Sequence, residues 1–199
     1  SNLYIEQAEG SKYEYFQFVN SGALHRSDIY GKLNGVNSSC SLSGLTLSKN
    51  KQHSATYINT DHAKPHCKSS QNFKSILNDM SSGVFNGRTV VQEDSQKTNS
   101  RQSNKNLLLS DKALMNSNPQ LEIYADDVKC AHGSTTGALD KEALFYMQSR
   151  GINKEEASSL LIRGFASELI NEVQHEETKK YLLNKFDHWL RYYLSLIHI

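Results

Sequence analysis

The chain has 199 residues, 22 basic against 21 acidic, and a formal net charge of +1. That balance supplies no global field for nucleic acid or an anionic membrane, and no run of 18 apolar residues exists to span a bilayer. Cys40, Cys67 and Cys130 are odd in number and unpaired in spacing, which speaks against a disulfide framework and for a reducing, cytoplasmic setting, and residues 1–6 carry no secretory pattern.

Up to Gly137 the chain is rich in Ser, Asn, Thr and Gly, and its apolar residues alternate in short groups. Residues 13–19, 41–47, 54–58, 83–91, 106–110 and 121–124 follow a period of two between small polar turns, the pattern of β-strands. Residues 73–77 read as at most a turn of helix. Many short strands suit a sandwich, a barrel or a β-solenoid. Asn and Ser beyond the strands favour the solenoid, where they can ladder between coils, although no crisp short repeat shows.

Residues 121–133 read as one strand ending in Cys130-Ala131-His132. In an extended strand i and i+2 share a face, so the Cys130 thiolate and a His132 ring nitrogen can converge. Sulfur beside imidazole suits an iron–sulfur cluster, zinc or copper. Two ligands leave such a site incomplete. By itself the pair also fits a half-buried Cys next to a surface His.

After Gly137 the pattern turns helical. Asp140 caps a helix carrying Ala143, Leu144 and Met147, which Arg150-Gly151 ends. Asn153 with Glu156 resembles a capping box, and Ala157, Leu160, Leu161, Phe165, Leu169 and Val173 follow at helical spacing. A last helix over about 177–194 turns Tyr181, Leu182, Phe186, Trp189, Leu190 and Tyr193 inward. The expected units are a β core over 1–137 and a small helical domain over 138–195. Residues 194–199 read as a non-native sequencing-adapter tail, so His198 gets no role.

Other candidates are weaker. His62, His66 and Cys67 could hold zinc, but Pro65 makes a turn the better expectation. Asp126 and Asp127, adjacent on a strand, would face opposite ways, and Glu155-Glu156 sits in a helix first turn. No GxxxxGK[ST], GxGxxG or GxSxG occurs, so no nucleotide loop or nucleophile elbow is recognised.

The segments Asp61-His-Ala-Lys-Pro-His-Cys-Lys-Ser-Ser, Gly83-Val-Phe-Asn-Gly-Arg-Thr-Val-Val, Asn106-Leu-Leu-Leu-Ser, residues 119–137 and Leu144-Phe-Tyr-Met-Gln-Ser-Arg-Gly-Ile together resemble the SufB/SufD family of iron–sulfur assembly scaffolds. The Asp126-Asp-Val-Lys-Cys-Ala-His-Gly form is that of the SufD branch. The resemblance implies a right-handed parallel β-helix followed by a C-terminal helical domain, and a chain that is roughly the C-terminal half of a longer protein. It implies no enzymatic activity but a scaffold that pairs with SufB through the β-helices and docks the ATPase SufC on the helical domain. It also implies a transient iron–sulfur cluster at the SufB interface, with His132 as ligand and Cys130 beside it. On this reading Leu144, Tyr146, Arg150, Leu161 and Phe165 are the candidate SufC contacts. The rival readings are a β-helix carbohydrate-active enzyme and a stand-alone zinc protein.

Overall fold

The structure, a computed structural model, describes residues 1–195; His198 and the rest of the suspected tail beyond Ser195 lie outside them. Ten strands come first: β1 (Asn2–Gln7), β2 (Lys12–Val19), β3 (Leu24–Leu33), β4 (Ser39–Ser48), β5 (His53–His62), β6 (Lys68–Leu77), β7 (Ser82–Val91), β8 (Asn99–Leu108), β9 (Leu114–Ile123) and β10 (Lys129–Gly137). Odd strands pair in parallel in the order β1-β3-β5-β7-β9, and even strands as β10-β8-β6-β4-β2. Each coil contributes one strand to each sheet, which makes a β-solenoid of five turns. Ser39 lies opposite Lys68, Lys68 opposite Asn99 and Asn99 opposite Lys129, so these coils take 29 to 31 residues each. A repeat that long and that uneven escapes a search for short periods.

The corners explain some of the polar composition. Asn37, His66 and Lys97 turn equivalent corners of successive coils with φ of 59°, 61° and 61°, and Asn50 and Asp79 turn others with φ of 55°. Asn and Asp tolerate this left-handed region better than most residues do. Each corner hangs from the next: His66 N–H donates to Gln96 O at 2.9 Å and Lys97 N–H to Asp127 O at 2.7 Å.

The solenoid interior changes along its axis. Ile29, Leu33, Leu42, Ile58, Phe73 and Phe85 form an apolar core in the earlier coils. Towards β10 the inward residues are Ser69, Gln71, Ser100, Gln102, Asn104 and Asn106, all buried. They bond to one another in part: Ser69 and Ser100 hydroxyls meet at 2.8 Å, and Asn106 Nδ2 donates to Asn104 Oδ1 at 2.7 Å, while Gln102 Oε1 and Asn106 Oδ1 meet no donor among the described residues. Burial without such bonds would be costly.

Three helices follow: α1 (Lys141–Ser149), α2 (Lys154–Ile170) and α3 (Glu176–Ser195). Their starts follow the expected chemistry. Asp140 accepts from Glu142 N–H and Ala143 N–H, Asn153 accepts from Glu156 N–H at 2.9 Å, and Gly151 takes φ 87° behind α1. Helices α2 and α3 cover the outer face of the even-strand sheet. Leu45, Leu47, Ile76 and Leu107 point out of the solenoid into a shared core with Ile162, Ala166, Leu169, Phe186 and Trp189. Each buried Leu, Ile or Phe among them contributes about 1.5–3 kcal/mol. Tyr192 adds a hydrogen bond to Asn50 at 3.2 Å and lies under the Lys49 ammonium. Among the described residues no helix is long and apolar enough to cross a membrane.

Four local expectations change. Strands β3 and β6 are additional, and residues 73–77 end β6 rather than forming a helical turn. With helices covering one face and core the other, this segment is buried on both sides, which erases its alternation. The strand expected over 121–133 is two strands separated by a corner at 124–128, because the chain crosses there from one sheet to the other. In α2 the buried stripe is Ala157, Ser158, Ile162, Ala166, Leu169 and Ile170, while Leu160 is exposed. Ser158 joins it by donating its hydroxyl to Lys154 O at 2.7 Å. Tyr181, expected to face inward, is 59% exposed.

Candidate functional site

Strand β10 closes the even-strand sheet, paired with β8 on one side only. Cys130 lies opposite Ser100 and His132 opposite Gln102. Ser100 and Gln102 are inward and buried, so Cys130 and His132 head two interior columns at the open end of the solenoid. The shared face expected from i, i+2 spacing is present. With no further coil stacked on them, Cys130 is half-buried and His132 exposed.

Both columns are hydrogen-bonded downwards. Beneath Cys130, Ser100 Oγ meets Ser69 Oγ at 2.8 Å and Ser69 Oγ meets His62 Nε2 at 2.8 Å. Burial raises the Cys130 thiol above its ordinary pKa, partly offset by a hydrogen bond with the Ser100 backbone. A metal must therefore displace a proton to take the thiolate. Beneath His132, Gln102 Nε2 donates to Gln71 Oε1 at 2.7 Å, and Gln71 Nε2 donates to Thr60 Oγ1 at 3.0 Å and Thr89 Oγ1 at 3.2 Å. The Gln102 amide lies against Gly87, where a Cβ would come within 2.2 Å of its nitrogen. Its oxygen is buried and meets no donor among the described residues. A buried acceptor left so costs about 1–3 kcal/mol.

The other sequence candidates do not gather. His62 is buried and bonded to Ser69, His66 sits exposed on a corner, and the Cys67 thiol donates to Gly35 O at 3.2 Å. Among the described residues no three His, Cys, Asp or Glu side chains form a metal-binding group. Asp126 and Asp127 occupy the corner rather than a strand, and Asp127 pairs with the Lys97 ammonium.

Of the helical candidates, Tyr146 is 59% exposed beneath the Arg150 guanidinium at 5.0 Å, and Leu144 and Leu161 are half-buried. Helix α1 buries none of its residues, and its Phe145 is 74% exposed. Phe165 packs against the helix–solenoid core, its ring 4.6 Å from the Lys74 ammonium. Lys74 itself, passed over in the sequence, is a buried cation on β6 that donates to Phe165 O at 2.8 Å and Glu168 at 2.6 Å. No local signal marks it, since its partners are more than ninety residues away.

Residues 1–165 match the family described as SUF system FeS cluster assembly, SufBD core domain. The chain is 39% identical over 166 residues to the iron–sulfur cluster assembly protein SufD of Escherichia coli, an alignment covering 83% of this chain and 39% of that protein. It is 36% identical over 170 residues to an iron–sulfur cluster assembly SufBD family protein of Synechocystis, covering 85% and 37%. It is 39% identical over 109 residues to SufD of Bacillus subtilis, covering 55% and 25%. The chain thus spans less than half the length of these relatives.

Proposed function

The chain belongs to the SufBD family of iron–sulfur cluster assembly proteins, and from that premise we propose that it is a SufD-like scaffold subunit, cytoplasmic and non-enzymatic, whose His132 ligates a nascent cluster shared with SufB. The observation that carries this is the position of Cys130 and His132: side by side at the head of the interior columns, on an edge strand whose far side is unpaired. Such an edge accepts another strand by backbone hydrogen bonding. A partner strand there brings the remaining ligands to a pair that is two short of a closed site. Cys130, half-buried beside it, is given the lesser part.

The test is His132→Ala in the complex co-expressed with SufB and SufC. Loss of most of the iron and acid-labile sulfide after reconstitution is expected, with a smaller loss for Cys130→Ser. Cluster content equal to wild type in His132→Ala removes the proposed role.

The helical region is the proposed dock for the ATPase SufC, centred on α1. Tyr146 and Arg150 are its exposed contacts and Leu144 and Leu161 its half-buried ones, while Phe165 packs against the helix–solenoid core. Removing everything after Gly137 would strip the cover from Leu45, Leu47, Ile76 and Leu107, so surface substitutions are the cleaner probe. Phe145→Ser with Tyr146→Ser is expected to weaken SufC binding about tenfold or more, the scale of losing one exposed aromatic anchor. Thermal unfolding should not change, because neither ring is in the core. Unchanged SufC affinity places the dock elsewhere.

A further inference from the structure

The column under His132 has a direction. Gln102 donates to Gln71 of the coil before it, and Gln71 donates to Thr60 of its own coil and Thr89 of the next. The donor of Gln102 points away from β10, which leaves its oxygen at the head of the chain. That oxygen, Gln102 Oε1, is buried and without a donor among the described residues, on a side chain only 2% exposed. Gly87 makes room for the amide to lie this way, since any Cβ at that position would collide with its nitrogen. Buried acceptors are nearly always paired, and the exceptions call for an explanation.

The next residue of the same column is His132, one strand spacing above Gln102. Imidazole has two nitrogens on opposite sides of the ring. When one binds a metal the other carries a proton, and a metal-binding histidine commonly donates that N–H to a fixed acceptor. Here the fixed acceptor stands inside the solenoid, while the metal side faces the open edge.

We propose that Gln102 is the positioning residue for His132: its side-chain oxygen accepts the ring N–H turned towards the solenoid, so that the other nitrogen presents a neutral lone pair at the interface. This rests on the reading of His132 as a cluster ligand. With its nitrogen donating to Gln71, the Gln102 amide has its oxygen, not its nitrogen, left for a further partner. The orphaned oxygen is then a prepared half of a hydrogen bond that closes when the ring turns to hold metal. The same arrangement selects one tautomer of His132.

The test uses the full-length protein in complex with SufB and SufC, titrated anaerobically with Co(II) alone and followed by its ligand-field absorption. Gln102→Leu is expected to weaken the His132-dependent site by about 10- to 100-fold, the usual effect of losing the acceptor behind a metal-bound histidine. Gln102→Glu keeps an acceptor oxygen, with Gln71 turned over to donate to it, and should stay within a few fold of wild type. Gln102→Met, with a long side chain and no amide, replaces the leucine variant if that one fails to fold, as judged by its unfolding midpoint.

The outcomes separate. Loss of the site in His132→Ala with Gln102→Leu at wild-type affinity overturns the role of Gln102 and leaves that of His132 standing. Equal weakening in Gln102→Leu and Gln102→Glu also overturns it, because that is the mark of a merely structural residue. An unchanged isotherm in His132→Ala overturns the ligand itself, and the positioning role with it.

Discussion

Lowering the pH from neutrality to 4 is expected to remove about 3 kcal/mol of stability from the solenoid through one residue, His62. Its side chain is fully buried at the end of β5, with Nε2 on Ser69 and Nδ1 meeting no partner among the described residues. Burial lowers its pKa from 6.5 to about 4, against a small opposing effect of Asp61. The folded protein therefore holds the ring neutral where the unfolded chain would protonate it. The stabilisation is complete above pH 6.5, declines as the pH falls towards 4, and is gone below that. Urea unfolding at pH 7 and pH 4.5 measures it, with His62→Gln as the control. The glutamine can still reach Ser69 but does not titrate, so its acid loss should be smaller by most of that amount. An equal loss in both proteins assigns the acid sensitivity to other groups.

Lys74→Ala is expected to cost about 3 kcal/mol, in the range for emptying a well-packed site and orphaning its partners. The Lys74 side chain is 1% exposed, whereas Glu168 is 59% exposed. The two ends of the ion pair are therefore unequal. Glu168→Gln should cost less than Lys74→Ala, because the amide oxygen can still accept from the ammonium and keeps a partner for it. Its carboxyl stays below the usual range chiefly through the hydrogen bond from Lys74, and Lys105 at 3.7 Å supports it. Lys74, by contrast, has the Phe165 carbonyl and ring as its other neighbours and no route to water. Chemical unfolding of the two variants decides the matter. A Lys74→Ala cost no larger than that of Glu168→Gln would mean that the apolar core holds α2 on the sheet without help from the buried cation.

This packing also bears on how motion in the helices reaches β10. Helices α2 and α3 share a core with β4, β6 and β8, and Lys74 and Asn72 tie β6 to Glu168 and Glu172. A force on that pair is passed directly to the even-strand sheet, of which β10 is the last strand. Helix α1 buries no residue and takes no part in that core.

The sequence by itself determined the local features: alternating strands up to Gly137, capped helices after it, the corner at Pro65-His66, and Cys130 and His132 on one face of a strand. Each depends on residues within a few positions of one another, as periodicity, capping and side-chain direction do. Together, its motifs also carry the likeness to the family. Only the tertiary structure decided what lies across a coil. The pairing of His132 with Gln102 spans 30 residues, the bond between Lys74 and Glu168 spans 94, and neither distance leaves a local trace. The double burial of residues 73–77 and the corner at 124–128 were hidden for the same reason. Both follow from which sheet a segment joins and what covers it, and the stacking of coils settles that rather than the propensity of the segment.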